Sequence, residues 1–135
     1  HYFSENPYVY FSDNILSSFL ATEYTNQSLP MYVGDRILPG LDLAYNAGIV
    51  ATGFAELGAL GVVIYALIMG FYLRAINSLI RNGVPAFIPA AILFLPVRTA
   101  WAASDLFASL LSHGLIVGLL VVWLYGSHTQ TDGKR

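Results

Sequence analysis

The stretch Ile49-Val-Ala-Thr-Gly-Phe-Ala-Glu56-Leu-Gly-Ala-Leu-Gly-Val-Val-Ile-Tyr-Ala-Leu-Ile-Met-Gly-Phe-Tyr-Leu73 decides the class of this chain. It runs for about 25 residues with a single charge, Glu56, and a helix rising about 1.5 Å per residue then covers the roughly 30 Å of a bilayer's hydrocarbon core. The stretch predicts a transmembrane helix and, with it, an all-α integral membrane protein. In such a protein apolar side chains face lipid and need no protein core.

Composition points the same way. Of the 135 residues, 56% are hydrophobic and 10% are charged, whereas soluble domains average about 25% charged. There is no cysteine, which excludes disulfides, thiolate metal sites and a cysteine nucleophile. A net charge of −2 gives no ground for a nucleic-acid partner.

Upstream of the apolar stretch, residues 1–48 are polar and aromatic. They hold five acids (Glu5, Asp13, Glu23, Asp35 and Asp42) against one base, Arg36. Tyrosine and phenylalanine at this density suit a membrane–water interface. Ser12 or Asp13 can cap a short amphipathic helix reaching Tyr24, and Pro30 with the Gly34–Gly40 stretch then breaks regular structure. No basic segment followed by an apolar one precedes residue 49, so we read no signal peptide. We expect a C-terminal portion of a larger multispan protein. The alternative is a small protein processed at its start.

Downstream, the apolar region from Val84 to Gly126 would measure roughly 65 Å as one helix, about two bilayer cores. Its polar residues, Arg98, Thr99, Ser104 and Asp105, gather at the middle. A tight reversal near Thr99 to Ser104 therefore gives three spans, at about 49–73, 84–99 and 105–126. Ser104 or Asp105 can cap the third. Pro85 sits near the start of the second span, while Pro89 and Pro96 should kink or unwind it. Unwound backbone at membrane depth must be buried in protein or line a wet cavity.

Basic residues set the orientation. Arg74 and Arg81 precede the second span, and Lys134 and Arg135 end the tail. With three spans these lie on one side, which the positive-inside rule makes cytoplasmic. The expected organisation is an extracytoplasmic loop 1–48, a helical bundle portion 49–126 and a cytoplasmic tail 127–135; in a bacterium the loop would face the periplasm or the exterior. Ala51, Ala55 and Ala59, and the Gly114-Leu-Ile-Val-Gly118 motif, supply small-residue surfaces for close helix contact, within the protein or in a dimer.

Polar groups at membrane depth are the candidates for chemistry, because they are costly there and face a bundle interior or a cavity. Asp105, Ser109, Ser112 and His113 share one helix face by their i, i+4, i+7, i+8 spacing. Arg98 and Asp105 are expected to pair across the turn, either as a clamp or as part of a ligand site. His113 is either a satisfied polar residue or an acid/base group. Glu56 is either an interhelical bonding partner or a general base. Arg36, between Gly34 and Pro39, suits bidentate phosphate binding, or it pairs with Asp35. The other histidines, His1 and His128, are too distant to build a metal site with His113. No Walker loop, GxSxG elbow or HExxH motif is present.

The string from Asn46 through Gly70, with Glu56, Gly58 and Gly61 in a small–aromatic–x–acidic–x–Gly–x–x–Gly pattern, resembles the late loop-to-helix junction of Wzy-like polymerases. These are the O-antigen and oligosaccharide-repeat-unit polymerases of bacterial envelopes. The resemblance covers about residues 30 to 126. It implies a many-helix membrane bundle that transfers a glycan from undecaprenyl diphosphate to the sugar hydroxyl of another lipid-linked repeat unit, with no required metal or cofactor. Arg36 and Arg98 would hold the diphosphate. Glu56, Asp105 and His113 are the candidates to activate the acceptor. Partners would be the lipid-linked oligosaccharide, the bilayer and the remaining transmembrane helices, and the family admits a chain-length regulator. The N-terminal spans expected of the family are not in this chain. A different class stays open: the terminal bundle of a transporter or flippase, its path lined by a broken second span and by Arg98 and Asp105. A non-catalytic membrane assembly subunit is a third.

The orientation is testable in a chain without native thiols. Asn77→Cys should resist an impermeant thiol reagent in intact cells and react after permeabilisation; labelling in intact cells would invert the topology.

Overall fold

Gly58 reverses the chain inside the stretch that hydropathy reads as one span. In the computed structural model, which describes residues 8, 30–31, 34–35, 38–41 and 48–132 (side chains through 128 in the last helix), Gly58 has φ 63 and ψ −144. An L side chain is strained there, and glycine is not. The reversal divides the stretch into α1, Ile49–Leu57, and α2, Ala59–Arg81. The two pack antiparallel. Ile49 and Val50 line one apolar cavity with Tyr65, Met69 and Leu73, whereas an unbroken helix would hold Ile49 about 24 Å from Tyr65. The expected span 49–73 is thus corrected to a 9-residue helix folded back on a 23-residue one.

Two further glycines make the hairpin close. A Cβ added to Gly61 would collide with the carbonyl oxygen of Gly53, and one added to Gly53 would lie 3.1 Å from the carbonyl oxygen of Gly61. The helices therefore touch backbone to backbone. The break also removes Ala59 from the stripe expected with Ala51 and Ala55; of these, Ala55 is buried and Ala51 is exposed.

After Asn82 ends α2, α3 runs from Phe87 to Ala103. It begins and ends a few residues later than the expected span 84–99. The later start places Pro89 in the first helical turn, where a backbone N–H has no intrahelical partner to lose. Pro96 lies inside the helix, which is continuous across it. The expected unwinding is absent, and Thr99 remains helical rather than forming a turn. The corner falls instead at Ser104 and Asp105.

The expected third span, 105–126, is also divided. Leu106–His128 is a 23-residue apolar stretch of mean hydropathy 2.1. Its backbone nevertheless breaks at Ser112–Gly114 into α4, Leu106–Leu111, and α5, Leu115–Asp132. Gly114, at φ 89, carries the break. Gly118, four residues on, lets α5 lie against α3, because a Cβ there would strike Leu93. The Gly114/Gly118 motif thus turns the chain with its first glycine and packs helices with its second, within this chain.

The described residues are all helix and connection, without a strand. Tyr65, Met69 and Tyr72 of α2 form the core with Leu93 and Ala100 of α3, Leu106 of α4, and Leu115 and Val122 of α5. Tyr72 fixes α2 to the start of α5 by donating its hydroxyl to the Leu115 carbonyl at 3.0 Å. At the far end Gly126 of α5 packs on Val84, so α2 and α5 run parallel, and α3 runs antiparallel to both. Two segments are long and apolar enough to cross a membrane, α2 and the Leu106–His128 stretch. Only 22% and 28% of their most apolar windows are buried inside the fold, so most of that surface faces outward.

The hairpin contact predicts opposite outcomes at two glycines of one helix. Gly61→Ala should destabilise the fold by about 1–3 kcal/mol, because backbone must move. Gly70 has nothing within 4 Å of an added Cβ, so Gly70→Ala should stabilise by about 0.5–1 kcal/mol. Thermal unfolding in a mild detergent measures both, and equal shifts would refute the contact.

Candidate functional site

Asp105 is the residue on which the polar end of the bundle converges. It is the N-cap of α4: one carboxylate oxygen, Oδ2, accepts from the backbone N–H groups of Phe107 at 2.9 Å and Ala108 at 3.2 Å. Of the two caps the sequence offers, Ser104 or Asp105, the structure uses Asp105, which satisfies donors that a helix start leaves open. The other oxygen, Oδ1, accepts from the Tyr65 hydroxyl at 2.9 Å. Tyr65 comes from the first third of α2, and its ring meets Phe107 edge to face at 5.7 Å between centroids. One carboxylate therefore both starts α4 and ties it to α2.

Glu56 reaches the same place from the hairpin. It lies at the end of α1, buried to 2% exposure, and its charge acts on the Tyr65 hydroxyl. Thr52, one turn earlier on the same face, is buried and donates to the Gly48 carbonyl at 3.2 Å. Ser109 of α4 is fully buried, and its hydroxyl has no hydrogen-bond partner in the structure. An unpaired buried hydroxyl costs about 1–3 kcal/mol, so this end of the bundle stores an unmet polar demand. One carboxylate, Asp105, thus accepts from the Tyr65 phenol, and a second, Glu56, is buried within electrostatic reach of it. A phenol has a single proton to donate, and here it goes to Asp105.

His113 lies elsewhere. The expected face Asp105–Ser109–Ser112–His113 ends at Ser109, because α4 stops at Leu111. Ser112 and His113 instead wrap the C-terminus of α4. The Ala108 carbonyl accepts from the Ser112 hydroxyl at 2.7 Å and from the backbone N–H groups of Ser112 and His113 at 2.8 and 3.1 Å. The His113 Nδ1 is 3.1 Å from the same carbonyl and 3.4 Å from the Ser104 hydroxyl. The ring is exposed, so its Nε2 edge is open.

Arg98 does not pair with Asp105. Because α3 stays helical to Ala103, Arg98 is held more than a turn below the corner that Asp105 caps, and both Asp105 oxygens are occupied. Arg98 is exposed and makes no ion pair among the described residues. It borders an apolar groove of about 360 Å³ between α2 and α3, with Ile76, Ile80, Pro89, Leu93 and Phe94 among its walls. Among the described residues Arg98 is the only charge on that lining. Arg36, the other expected phosphate-binding residue, lies outside the described residues, as do the expected helix up to Tyr24, His1, Lys134 and Arg135. Among the described residues no cluster of three His, Asp or Glu side chains could hold a metal.

The residue that sequence reasoning missed is Tyr65. In a straight helix it is one more apolar-stretch aromatic, and nothing in its neighbours marks it. The only signal is the pair Gly53 and Gly61, whose spacing about Gly58 permits the hairpin that brings Glu56 within electrostatic reach of it. Comparison of the chain with family models, with curated proteins and with solved structures finds no match.

The bond between Tyr65 and Asp105 should appear as coupling. Tyr65→Phe and Asp105→Ala should each destabilise. Their double variant should cost less than the sum by about 1 kcal/mol, because either single change leaves a partner unsatisfied. Simple additivity in denaturant titrations would exclude the bond.

Proposed function

We propose that this chain is the C-terminal membrane part of a polymerase of lipid-linked oligosaccharide repeat units, embedded in a bacterial inner membrane with residues 1–48 outside. The observation that carries the proposal is the apolar groove between α2 and α3 with one unpaired arginine, Arg98, on its lining. A prenyl diphosphate is an apolar chain ending in a doubly anionic group. An apolar groove bordered by a guanidinium that grips two oxygens at once matches both of its halves. The outward-facing apolar surface of α2, α3 and α5 supports the membrane placement, and so does the Wzy-like string from Asn46 to Gly70.

The reaction follows from that substrate. The bond between the anomeric carbon and the diphosphate oxygen breaks, and the acceptor sugar's hydroxyl oxygen forms the new glycosidic bond. The diphosphate leaves with growing negative charge, which Arg98 and Arg36 stabilise electrostatically. The acceptor's proton passes to a general base. Glu56 and Asp105 are the carboxylates for that role, and His113 offers an exposed imidazole edge.

Transport is a second reading, favoured by one observation. The helix breaks at Gly58 and at Ser112–Gly114 bracket the polar end of the bundle, as discontinuous helices do around transported ions.

The test uses the full-length protein in a strain lacking its polymerase. Arg98→Ala and Arg36→Ala should each reduce chain extension by about a hundredfold, the usual loss when one charge-stabilising donor is removed. Arg98→Lys should recover only part, because an ammonium lacks the planar fork. The readout is the ladder of polysaccharide lengths at matched expression. A normal ladder from both alanine variants overturns the assigned residues. A wild-type protein that makes no ladder but moves a lipid-linked or soluble substrate across the membrane replaces polymerisation with transport.

A further inference from the structure

One face of α2 is exposed along its whole length and changes character partway. Leu60, Val63, Leu67 and Phe71 are 62%, 54%, 57% and 69% exposed. At the same helical spacing the face continues as Arg74, Asn77, Ser78 and Arg81, all exposed. These four polar residues line a shallow cavity of about 370 Å³ with no acidic side chain among the described residues on its wall. Neither arginine is ion-paired among the described residues. The two guanidinium-bearing residues are two turns apart, about 10.5 Å along the axis.

We propose that this face binds an anionic glycerophospholipid, with the headgroup phosphate held between Arg74 and Arg81 and the acyl chains laid along Leu67 and Phe71. The charge is complementary, because two cations unpaired among the described residues await an anion and no described carboxylate competes. A guanidinium fork takes two phosphate oxygens, and the Asn77 amide and Ser78 hydroxyl add donors for the glycerol and headgroup oxygens. The apolar half selects a lipid over free phosphate, since a free ion would use the basic half alone. The depth fits as well. Headgroup layers are about 5–7 Å thick on each side of the hydrocarbon, and the long arginine stems reach the remaining distance by snorkelling. The inference rests on the membrane placement proposed above and not on glycosyl transfer.

The test places a reporter on the apolar half of the face. Phe71→Trp is introduced with Trp101→Phe and Trp123→Phe, and the chain is reconstituted in phosphatidylcholine vesicles. Brominated phosphatidylglycerol or brominated phosphatidylcholine is then titrated as quencher. Phosphatidylglycerol should be preferred roughly tenfold, in line with the attraction of anionic lipid to two nearby cations. Arg74→Gln with Arg81→Gln should bring the preference to near unity, and Arg74→Lys with Arg81→Lys should keep most of it, with helicity by circular dichroism unchanged in both. Inorganic phosphate at millimolar concentration should leave the preference intact. Equal quenching by the two lipids, or a preference that survives the glutamine pair, overturns the site. Loss of preference on adding phosphate overturns the lipid as occupant. Quenching by neither lipid overturns the membrane placement itself, an outcome separable from failure of the polysaccharide ladder.

Discussion

Everything at the polar end of this protein depends on two backbones meeting without side chains between them. Gly53 and Gly61 bring α1 against α2 closely enough that a methyl group on Gly61 has nowhere to go. Gly58 supplies the turn that makes the meeting possible, in a conformation L residues avoid. The Tyr8 ring covers this turn: it stacks edge to face on Phe54 at 6.2 Å, and its hydroxyl occupies the space a Gly58 side chain would need. The consequence is positional. Glu56, buried at the end of α1, is brought by the hairpin within electrostatic reach of Tyr65.

From there the chain of dependence runs through one hydroxyl. Tyr65 donates to Asp105, and Asp105 holds the first turn of α4. A hydrogen bond in a site screened from water is stronger than its exposed counterpart, and each unmade bond there costs more. The geometry of α4 is therefore tied to that of the α1–α2 hairpin, although the two are separated by all of α3. The short helix has its other end closed by Ser112 and His113 on the Ala108 carbonyl. Both ends of a six-residue helix are thus satisfied by side chains, which matters because so short a helix has little stability of its own.

The rest of the bundle shows the opposite economy. Large apolar residues such as Phe71, Phe94 and Trp123 stand outward from α2, α3 and α5. The core beneath them is thin, made by one or two residues per turn, with Tyr72 adding a single polar tie to α5. This arrangement leaves α2 and α3 free to present a groove on one side and a lipid-like stripe on another. Charge enters each only at one place: Arg98 in the groove, and Arg74 with Arg81 on the stripe.

By itself the sequence determined the helical class, the presence of apolar stretches long enough to cross a membrane, and a helix cap at Ser104 or Asp105. Each of these follows from local chemistry: hydropathy summed over a window, and a side-chain oxygen placed before a helix start. It did not determine where the helices break or which polar groups meet. A run such as Ile49–Leu73 has the same apolar content whether straight or folded on itself, because backbone hydrogen bonds are satisfied within each helix in both cases. Only the close approach of Gly53 to Gly61 chooses between them. The same holds at Pro96, where the helix continues, and at Gly114, where it does not. The partners of Asp105 were likewise a tertiary matter. Arg98 was nearer in sequence, but α3 carried it below the corner, and Tyr65, forty residues away along the chain, arrived instead.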